Sequence, residues 1–299
     1  MDLKTLTLAD RPLIQRFLKK TPHVLSSYTF ANIYIWKALY NVRWATIRGC
    51  LCIFFQDAFG WFLYLPPLGS KLNEGAVAEA FDFMDRCNKN DDMSRIENVE
   101  ENQADFFEQS GYLCRQKPGE YLYLRQAMAQ LRGNALKHKR ASVNFFRKHS
   151  SYEYIPFEKR NRADCLSVYD QWMRERASHC ADALYQGMLK DSLATLQLAL
   201  RAHKALQLVG RVVKVDGRIK AFTFGMPINK TMFCILYEIA DLSVKGLSQF
   251  IFSAFCDELK SYTYINAMDD SGLASLERVK RSYQPTHILT NTIVTRHVH

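Results

Sequence analysis

The sequence predicts an α+β protein made of two similar domains, each with a mixed sheet flanked by helices. Two observations lead to this fold class. The order of predicted elements runs through the chain twice, and 299 residues are enough for two domains of ordinary size. Apolar residues make up 48% of the chain and aromatic residues 13%, which excludes a disordered protein. We expect domains at 1–125 and 126–299, with the boundary near 126–133.

The first predicted domain begins with two helices and continues with a meander of three strands. Polar residues that suit helix caps precede each helix, and short turns containing Gly or Asp separate the strands. A helix, a short strand, another helix and a closing strand complete the domain. These elements cover 8–18, 27–39, 43–47, 50–55, 61–65, 75–87, 96–99, 103–109 and 121–125.

The second predicted domain repeats this order, starting from a basic helix. Its clearest local signal is Asp216-Gly217 between two apolar runs, which is typical of a tight β-hairpin. The predicted elements cover 134–149, 152–157, 162–177, 184–203, 206–215, 218–226, 232–239, 246–259, 262–265 and 288–294. This order of elements resembles the GNAT (acyl-CoA N-acyltransferase-type) fold. Because it occurs twice, we expect two tandem GNAT-like domains.

The net charge of +10 is confined to the second predicted domain. Residues 132–162 alone hold nine basic side chains against two acidic ones. At the helical spacing of about 100° per residue, the polar side chains of the basic helix form one stripe. The stripe suits RNA phosphates or anionic lipid headgroups, and a solvated helix face is the alternative. The candidate binding residues there are Lys137, Lys139, Arg140, Asn144 and Arg147. The nearby Phe145 and Tyr152 are expected in the core.

Several function classes find no support in the sequence. The eight cysteines are scattered without a Cys-x-x-Cys pair, so neither a disulfide framework nor a metal site is predicted. Motifs of serine hydrolases, NTPases and dinucleotide-binding enzymes are missing. The chain has neither a signal-peptide pattern nor an apolar run of membrane-spanning length. We therefore expect a cytoplasmic protein that meets a membrane only at its periphery.

The junction after the central strand of the second domain carries two acidic residues and a glycine. Glu238 and Asp241 can act as a base or bind an ammonium group, or they can cap the following helix. In GNAT enzymes that use acetyl-CoA, Gln/Arg-x-x-Gly-x-Gly/Ala at this junction cradles pyrophosphate. Here Ser243 and Ser248 replace the outer residues and only Gly246 remains. Gly246 is thus a candidate binding residue, and CoA is a less favoured ligand.

A second polar cluster follows the next strand, in the run from Tyr264 to Pro285. An apolar strand ends in Asn266, Asp269 and Asp270, a glycine turn follows, and a short helix then delivers Lys280. Amide, carboxylate and amine groups at a strand end suit polar chemistry, although the same pattern is ordinary turn and cap chemistry. Together with the preceding junction, these residues are the candidate catalytic set.

Short stretches along the whole chain resemble the DUF2156 family, which is related to the C-terminal domain of phosphatidylglycerol lysyltransferase. The stretches include 121–124 with Leu131 and Gly133, Lys139-Arg140 with Asn144-Phe145, 221–229, Glu238-x-Ala240-Asp241 with Gly246, and 264–285. The resemblance implies a tandem GNAT fold like that of the FemABX peptidyl-transferases. Four positions lack the polar or charged residue that the family pattern usually has there. They are Ala141, Ile239, Ala267 and Glu277.

The resemblance also implies a function, namely transfer of an aminoacyl group from aminoacyl-tRNA to an amine or hydroxyl acceptor such as a phospholipid or peptide. An aminoacyl ester is already activated, so such an enzyme mainly aligns the reactants and stabilises the oxyanion. Asp269 or Asp270 would hold the α-ammonium or take a proton, and Lys280 would neutralise the oxyanion or bind the terminal tRNA phosphate. The expected partners are tRNA and anionic phospholipid headgroups, without a further cofactor. The alternatives are a CoA-dependent N-acyltransferase and a non-catalytic protein that binds tRNA or another anion.

Overall fold

The computed structural model describes residues 1–89, 93–178 and 182–297. The chain forms two compact units, Met1–Glu120 with Leu289–His299, and Tyr121–Ile288. The domain assignment 1–125 and 126–299 stays a prediction. Helices and a mixed set of parallel and antiparallel strands build the protein, so the predicted α+β class is confirmed.

The first unit contains strands with helices between them. Its elements are β1 (Lys4–Thr5), α1 (Arg11–Leu18), α2 (Phe30–Ile35), β2 (Asn41–Ile47), β3 (Cys50–Gln56), β4 (Trp61–Leu63), α3 (Glu74–Cys87), β5 (Arg95–Glu100), α4 (Glu101–Gln109), most of β6 (Leu113–Leu124) and most of the last strand, β12 (His287–Thr295). Strands pair in the order β1-β2-β3-β4-β5-β12, with β4 and β5 parallel and the other pairs antiparallel.

Two predictions for the first unit are wrong in detail. The helix expected over 27–39 is split into α2 and two flanking 3-10 turns, because Thr29 adopts extended backbone and caps α2 by accepting from the Asn32 amide at 3.2 Å. The strand expected over 121–125 begins earlier, at Leu113. Its first half is largely polar and partly exposed, so it lacks the apolar alternation that marks a strand in a sequence.

The second unit contains the remaining elements. They are α5 (Arg125–Gln130), α6 (Lys137–His149), β7 (Tyr152–Pro156), α7 (Arg162–Ser178), α8 (Ala183–Ala202), β8 (Val209–Val215), β9 (Arg218–Pro227), β10 (Met232–Ala240), α9 (Leu247–Glu258), β11 (Tyr264–Asn266) and α10 (Ala274–Arg281). Strands pair in the order β6-β11-β10-β9-β8-β7, and only β10 and β11 are parallel among these pairs.

Local backbone conformation confirms one turn prediction. Asp216 and Gly217 both have positive φ, 50° and 78°, which is the two-residue hairpin turn that their sequence predicts. The segment near 126–133, where the domain boundary is predicted, contains α5, a helix that ends where Leu131 turns left-handed with φ 48°.

The core of the second unit lies between its strands and the pair α6 and α9. Val143 and Phe146 of α6 pack there with Phe250 and Phe255 of α9. Gly246, the residue before α9, lies close to α6, and an added Cβ there would lie 2.2 Å from the carbonyl oxygen of Ser142. Only glycine fits this contact, and its φ of 83° also favours glycine.

Two features concern the whole described chain. No helix among the described residues has the length and apolar character needed to cross a membrane. The seven described cysteines are all free thiols, and Cys180 lies outside the described residues, as does His299.

Candidate functional site

Glu238 is the most unusual polar residue of the second unit. It lies near the end of β10, opposite Thr223 of β9, and its Oε2 atom is buried without a hydrogen-bond partner. Burial raises the pKa of the Glu238 carboxyl to about 8, and the charge of Lys280 moderates that rise. A buried carboxyl with no donor is costly, so its protonated form is favoured up to weakly alkaline pH.

Lys280 brings a positive charge to the same region. Its helix, α10, follows the glycine turn as expected, and its Nζ donates to the carbonyl oxygens of Ala267 and Met268, the second at 3.2 Å. The ammonium also lies 5.6 Å from the ring centroid of Tyr121. Two carbonyls and an aromatic face therefore hold the charge in one place.

Two tyrosines of β6 fix the elements around Lys280. The Tyr123 hydroxyl donates to the backbone carbonyl of Lys280 at 2.9 Å. The Tyr121 hydroxyl donates to Oδ2 of Asp270 at 2.6 Å, and Oδ1 of the same carboxylate accepts from the Gly272 amide at 2.9 Å. Burial and the bond to Asp270 raise the pKa of Tyr121 to about 12, so the phenol stays a donor.

A third tyrosine and a lysine complete the surroundings of Glu238. Tyr283 packs edge-on against Tyr123, with ring centroids 6.5 Å apart, and Lys139 of α6 lies 4.4 Å from the Tyr283 ring centroid. Burial raises the pKa of Tyr283, and the nearby Glu238 charge adds to the increase. Burial also lowers the pKa of Lys139. Glu238 is thus linked electrostatically to Tyr123, Tyr283 and Lys280.

The other acidic and amide candidates are occupied by local structure. Asp241 is buried and receives bonds from Lys220 Nζ at 2.7 Å and from the Ser243 amide and hydroxyl. Burial alone would raise its pKa, but these bonds lower it. Asn266 accepts from the Met268 amide at 2.8 Å, and Asp269 accepts from the Ser271 amide at 2.8 Å. Turn and cap roles account for these contacts, and catalytic roles for the three residues stay predictions.

The candidate binding residues of α6 do not share one environment. Arg140 donates to the carbonyls of Leu131 and Gly133, which anchors α6 to the preceding loop. Lys137, Asn144 and Arg147 are exposed. Gly246, the last of the predicted binding residues, provides the close contact between α6 and α9.

One expectation about α6 is wrong. Phe145 was expected in the core, but 38% of its surface is exposed. It points about 100° away from the buried Phe146, which is enough to bring its ring to the surface. Tyr152 of β7, also expected in the core, is 36% exposed.

The tyrosines of the site were not among the site residues predicted from the sequence. Tyr121 and Tyr123 are two residues apart on a strand, which puts both rings on one face. That spacing was a usable signal for a pair of hydroxyl donors. Tyr283 had no such signal, because its place beside Lys139 depends on contacts between α6 and the segment after α10.

The cluster can support acid–base chemistry next to a developing negative charge. A carboxyl with a pKa near 8 exchanges protons readily at neutral pH, and a fixed ammonium stabilises an oxyanion. Perturbed carboxyls beside a cation are typical of functional sites. We therefore take Glu238 and Lys280, with Tyr121, Tyr123 and Tyr283, as the candidate site.

Comparison with solved structures relates the protein to tandem GNAT proteins. A conserved protein of unknown function from Bacteroides thetaiotaomicron VPI-5482 is 28% identical, with a TM-score of 0.88 over 99% of this chain and 100% of that one. The structure of L-PGS from Bacillus licheniformis is 17% identical, with a TM-score of 0.63 over 96% and 92%. A tandem GNAT protein from the clavulanic acid biosynthesis pathway is 8% identical, with a TM-score of 0.53 over 98% and 97%. The predicted tandem GNAT fold is confirmed.

Family comparison gives the same relationship from the sequence side. No curated protein matches the chain. The family model described as phosphatidylglycerol lysyltransferase, C-terminal, matches residues 19–293, which is most of the chain. The predicted resemblance is confirmed, and the chain belongs to the family of phosphatidylglycerol lysyltransferase C-terminal domains.

Proposed function

We propose that the protein is an aminoacyltransferase that moves an aminoacyl group from aminoacyl-tRNA to an amine or hydroxyl acceptor such as a phospholipid or peptide. Family membership supports the reaction class, because the family is described by lysyl transfer to phosphatidylglycerol. The observation that carries the proposal is the environment of the Glu238 carboxyl. Its pKa is raised to about 8 although the Lys280 charge lowers it, and its Oε2 atom has no hydrogen-bond partner.

In the proposed reaction, the acceptor oxygen or nitrogen attacks the ester carbonyl carbon of the aminoacyl group. Ionised Glu238 takes the acceptor proton as the new bond forms, and the ammonium of Lys280 stabilises the oxyanion. The carbon–oxygen bond to the tRNA ribose then breaks, and the ribose oxygen receives the proton from Glu238. No external oxidant, reductant or energy source is needed, because the ester is already activated.

The surrounding residues have positioning roles in this proposal. Tyr123 fixes the backbone of Lys280, and Asp270 is held by the Tyr121 hydroxyl near the turn that binds the Lys280 ammonium. Lys139, which contacts the Tyr283 ring, contributes positive charge that attracts the phosphates at the tRNA acceptor end.

The tight packing at Gly246 disfavours the CoA-dependent alternative. The pyrophosphate cradle of CoA-dependent relatives requires open space around the first amides of this helix. Here the Ser142 carbonyl lies against Gly246, and the Leu247 amide already donates to Val244 at 3.2 Å. This arrangement supports aminoacyl-tRNA over CoA as the donor.

The test is a transfer assay with radiolabelled aminoacyl-tRNA pools and lipid or peptide acceptors. We expect the parent protein to move label to an acceptor and Glu238→Gln to lower the rate by about 10²–10⁴-fold, because the base is lost. Glu153→Gln, in an exposed ion pair with Lys214, is the matched control and should keep full activity. Absence of transfer by the parent with every charged tRNA and acceptor tested would remove the proposal in favour of a non-catalytic binding protein.

A further inference from the structure

One face of α6 is exposed to solvent along its whole length. Residues 137, 141, 144, 145 and 148 follow helical spacing on this face, and all five are exposed. Charged residues lie at the two ends of this face, at Lys137 and Lys148, and the apolar Ala141 and Phe145 lie between them. We call this surface, together with Leu242 and Lys245 of the adjoining turn, the α6 docking face.

The cations of the α6 docking face form no salt bridge within the described ranges. They are Lys137, Lys148 and Lys245, and all three are exposed. Lys139 points away from this face and contacts the Tyr283 ring, and Arg140, beside the face, donates to backbone carbonyls. Helix α6 itself contains no acidic residue. The face therefore presents positive charge that its own helix does not neutralise.

Apolar side chains protrude among these cations. Phe145 and Leu242 are each 38% exposed. Lys245 Nζ lies 4.5 Å from the ring centroid of Phe145, so the turn that carries Leu242 and Lys245 adjoins the aromatic residue. A solvated helix face does not require a phenylalanine at this position, because exposing the ring to water costs free energy that a polar residue would avoid.

The contacts of Phe145 indicate which anionic surface the face fits. Its ring is stacked on His149 with centroids 4.3 Å apart, and it also holds the Lys245 ammonium. A nucleic-acid base that stacked on this ring would compete with both contacts. The ring edge and the aliphatic Leu242 can enter lipid without disturbing either contact, while the lysines reach phosphate groups.

We propose that the α6 docking face binds the surface of a bilayer that carries anionic phosphate headgroups. Phe145 and Leu242 enter the headgroup–acyl boundary, and Lys137, Lys148 and Lys245 contact the phosphates. The proposal goes beyond aminoacyl transfer and does not need turnover. Vesicle binding without any transfer supports it and removes only the proposed function.

The first test is co-sedimentation of the full chain with vesicles of equal parts phosphatidylglycerol and phosphatidylcholine, compared with pure phosphatidylcholine. We expect binding to the anionic vesicles that weakens as salt rises, because salt screens exposed charges. Lys148→Gln combined with Lys245→Gln should weaken binding by about 30-fold, because the two lysines make similar contributions to the affinity for an anionic surface. The control pair Lys190→Gln with Lys204→Gln removes two exposed lysines elsewhere in the same unit and should bind like the parent.

The second test separates lipid insertion from simple charge attraction. Phe145→Ser should weaken binding by about tenfold, because the exposed ring no longer enters lipid. Phe59→Ser is the matched control, since Phe59 is 75% exposed in a turn with Asp57, and it should bind like the parent. An equal loss in both serine variants, or equal binding to neutral and anionic vesicles, overturns the proposal. It is also overturned if the α6 variants lose binding to a single-stranded RNA oligonucleotide while vesicle binding is unchanged.

Discussion

Buried glutamates in the two units differ in how their oxygens are satisfied. In the first unit, Glu100 accepts from the Val24 and Leu25 amides at 2.7 and 2.8 Å. Glu120 accepts from the amide and hydroxyl of Ser26 at 2.8 and 2.6 Å. In the second unit, Glu238 is partly buried, and its Oε2 atom is shielded from water and has no hydrogen-bond partner.

The difference separates two structural carboxylates from the one that we propose to be reactive. Glu100 and Glu120 fix the segment before α2 by satisfying backbone amides that would otherwise be buried without acceptors. Glu238 satisfies no donor through Oε2, so its burial is a net cost to the folded state. A protein retains such a cost where the perturbed group has a use, which is why Glu238 is the centre of the proposed site.

The comparison is tested most strongly by Glu238→Gln and its effect on stability. The pKa of this carboxyl is raised from 4.5 to about 8 in the folded protein, so folding takes up a proton between these values. The parent should therefore lose stability as pH rises from about 4.5, with the loss complete above about 8. Glutamine removes the titration and should raise the free energy of unfolding by roughly 5 kcal/mol at about pH 9.

Urea unfolding of parent and variant across this pH range measures the effect. The two stabilities should converge below about pH 4.5, where the carboxyl is protonated in both the folded and the unfolded state. A difference that does not change with pH would contradict the assignment of a raised pKa to Glu238.

Glu120→Ala should have the opposite sign in the first unit. The substitution leaves the buried amide and hydroxyl of Ser26 without an acceptor, so we expect a loss of about 3 kcal/mol in the free energy of unfolding. Denaturant midpoints measured at neutral pH provide the value. Glu108→Ala, at an exposed position of α4, is the control and should change little. A neutral Glu120→Ala would mean that pairing does not distinguish the two units.

Tyr123→Phe tests whether Tyr123 supports transfer by holding Lys280 in position. The substitution removes the 2.9 Å bond to the Lys280 carbonyl, and stability should fall by about 1 kcal/mol. Transfer should fall by about tenfold in kcat with little change in KM, because Lys280 no longer sits firmly near the reacting ester. Tyr262→Phe, in the same unit, controls for general loss of a phenol. A loss confined to stability would make Tyr123 purely structural.

Asp269→Ala should have the smallest effect. Its carboxylate accepts only the Ser271 amide and hydroxyl in a partly exposed turn, so we expect about 0.5 kcal/mol of lost stability and a rate within about twofold of the parent. Thermal unfolding and the transfer assay check both values. A loss of transfer as large as that of Glu238→Gln would support the predicted catalytic role of Asp269.

Much of the architecture could be predicted because local signals decide it. The turn at Asp216-Gly217 depends on two residues that tolerate positive φ, and the alternation of strands and helices depends on apolar periodicity. The start of β6 could not be predicted in this way, because residues 113–118 are largely polar and pair through their backbone. Helix α5 was missed because its six residues are too few to show a period.

The candidate site was predicted less completely, for a different reason. Glu238, Asp241 and Asp270 are alike in the sequence as acids near strand ends. Asp241 has Lys220 beside it and Asp270 has Tyr121, 21 and 149 residues away along the chain, whereas Oε2 of Glu238 has no donor. Which carboxylate remains unpaired is decided by these distant partners, so a pattern of neighbouring residues cannot reveal it.

The contact between Gly246 and the Ser142 carbonyl couples two parts of the second unit mechanically. Because the backbones meet there without an intervening side chain, α6 and α9 cannot slide past each other at their crossing. Helix α9 also carries Cys256, whose electrostatic environment includes Glu238. A force applied to the outer face of α6 is therefore transmitted rigidly, through α9, to the surroundings of the carboxyl group.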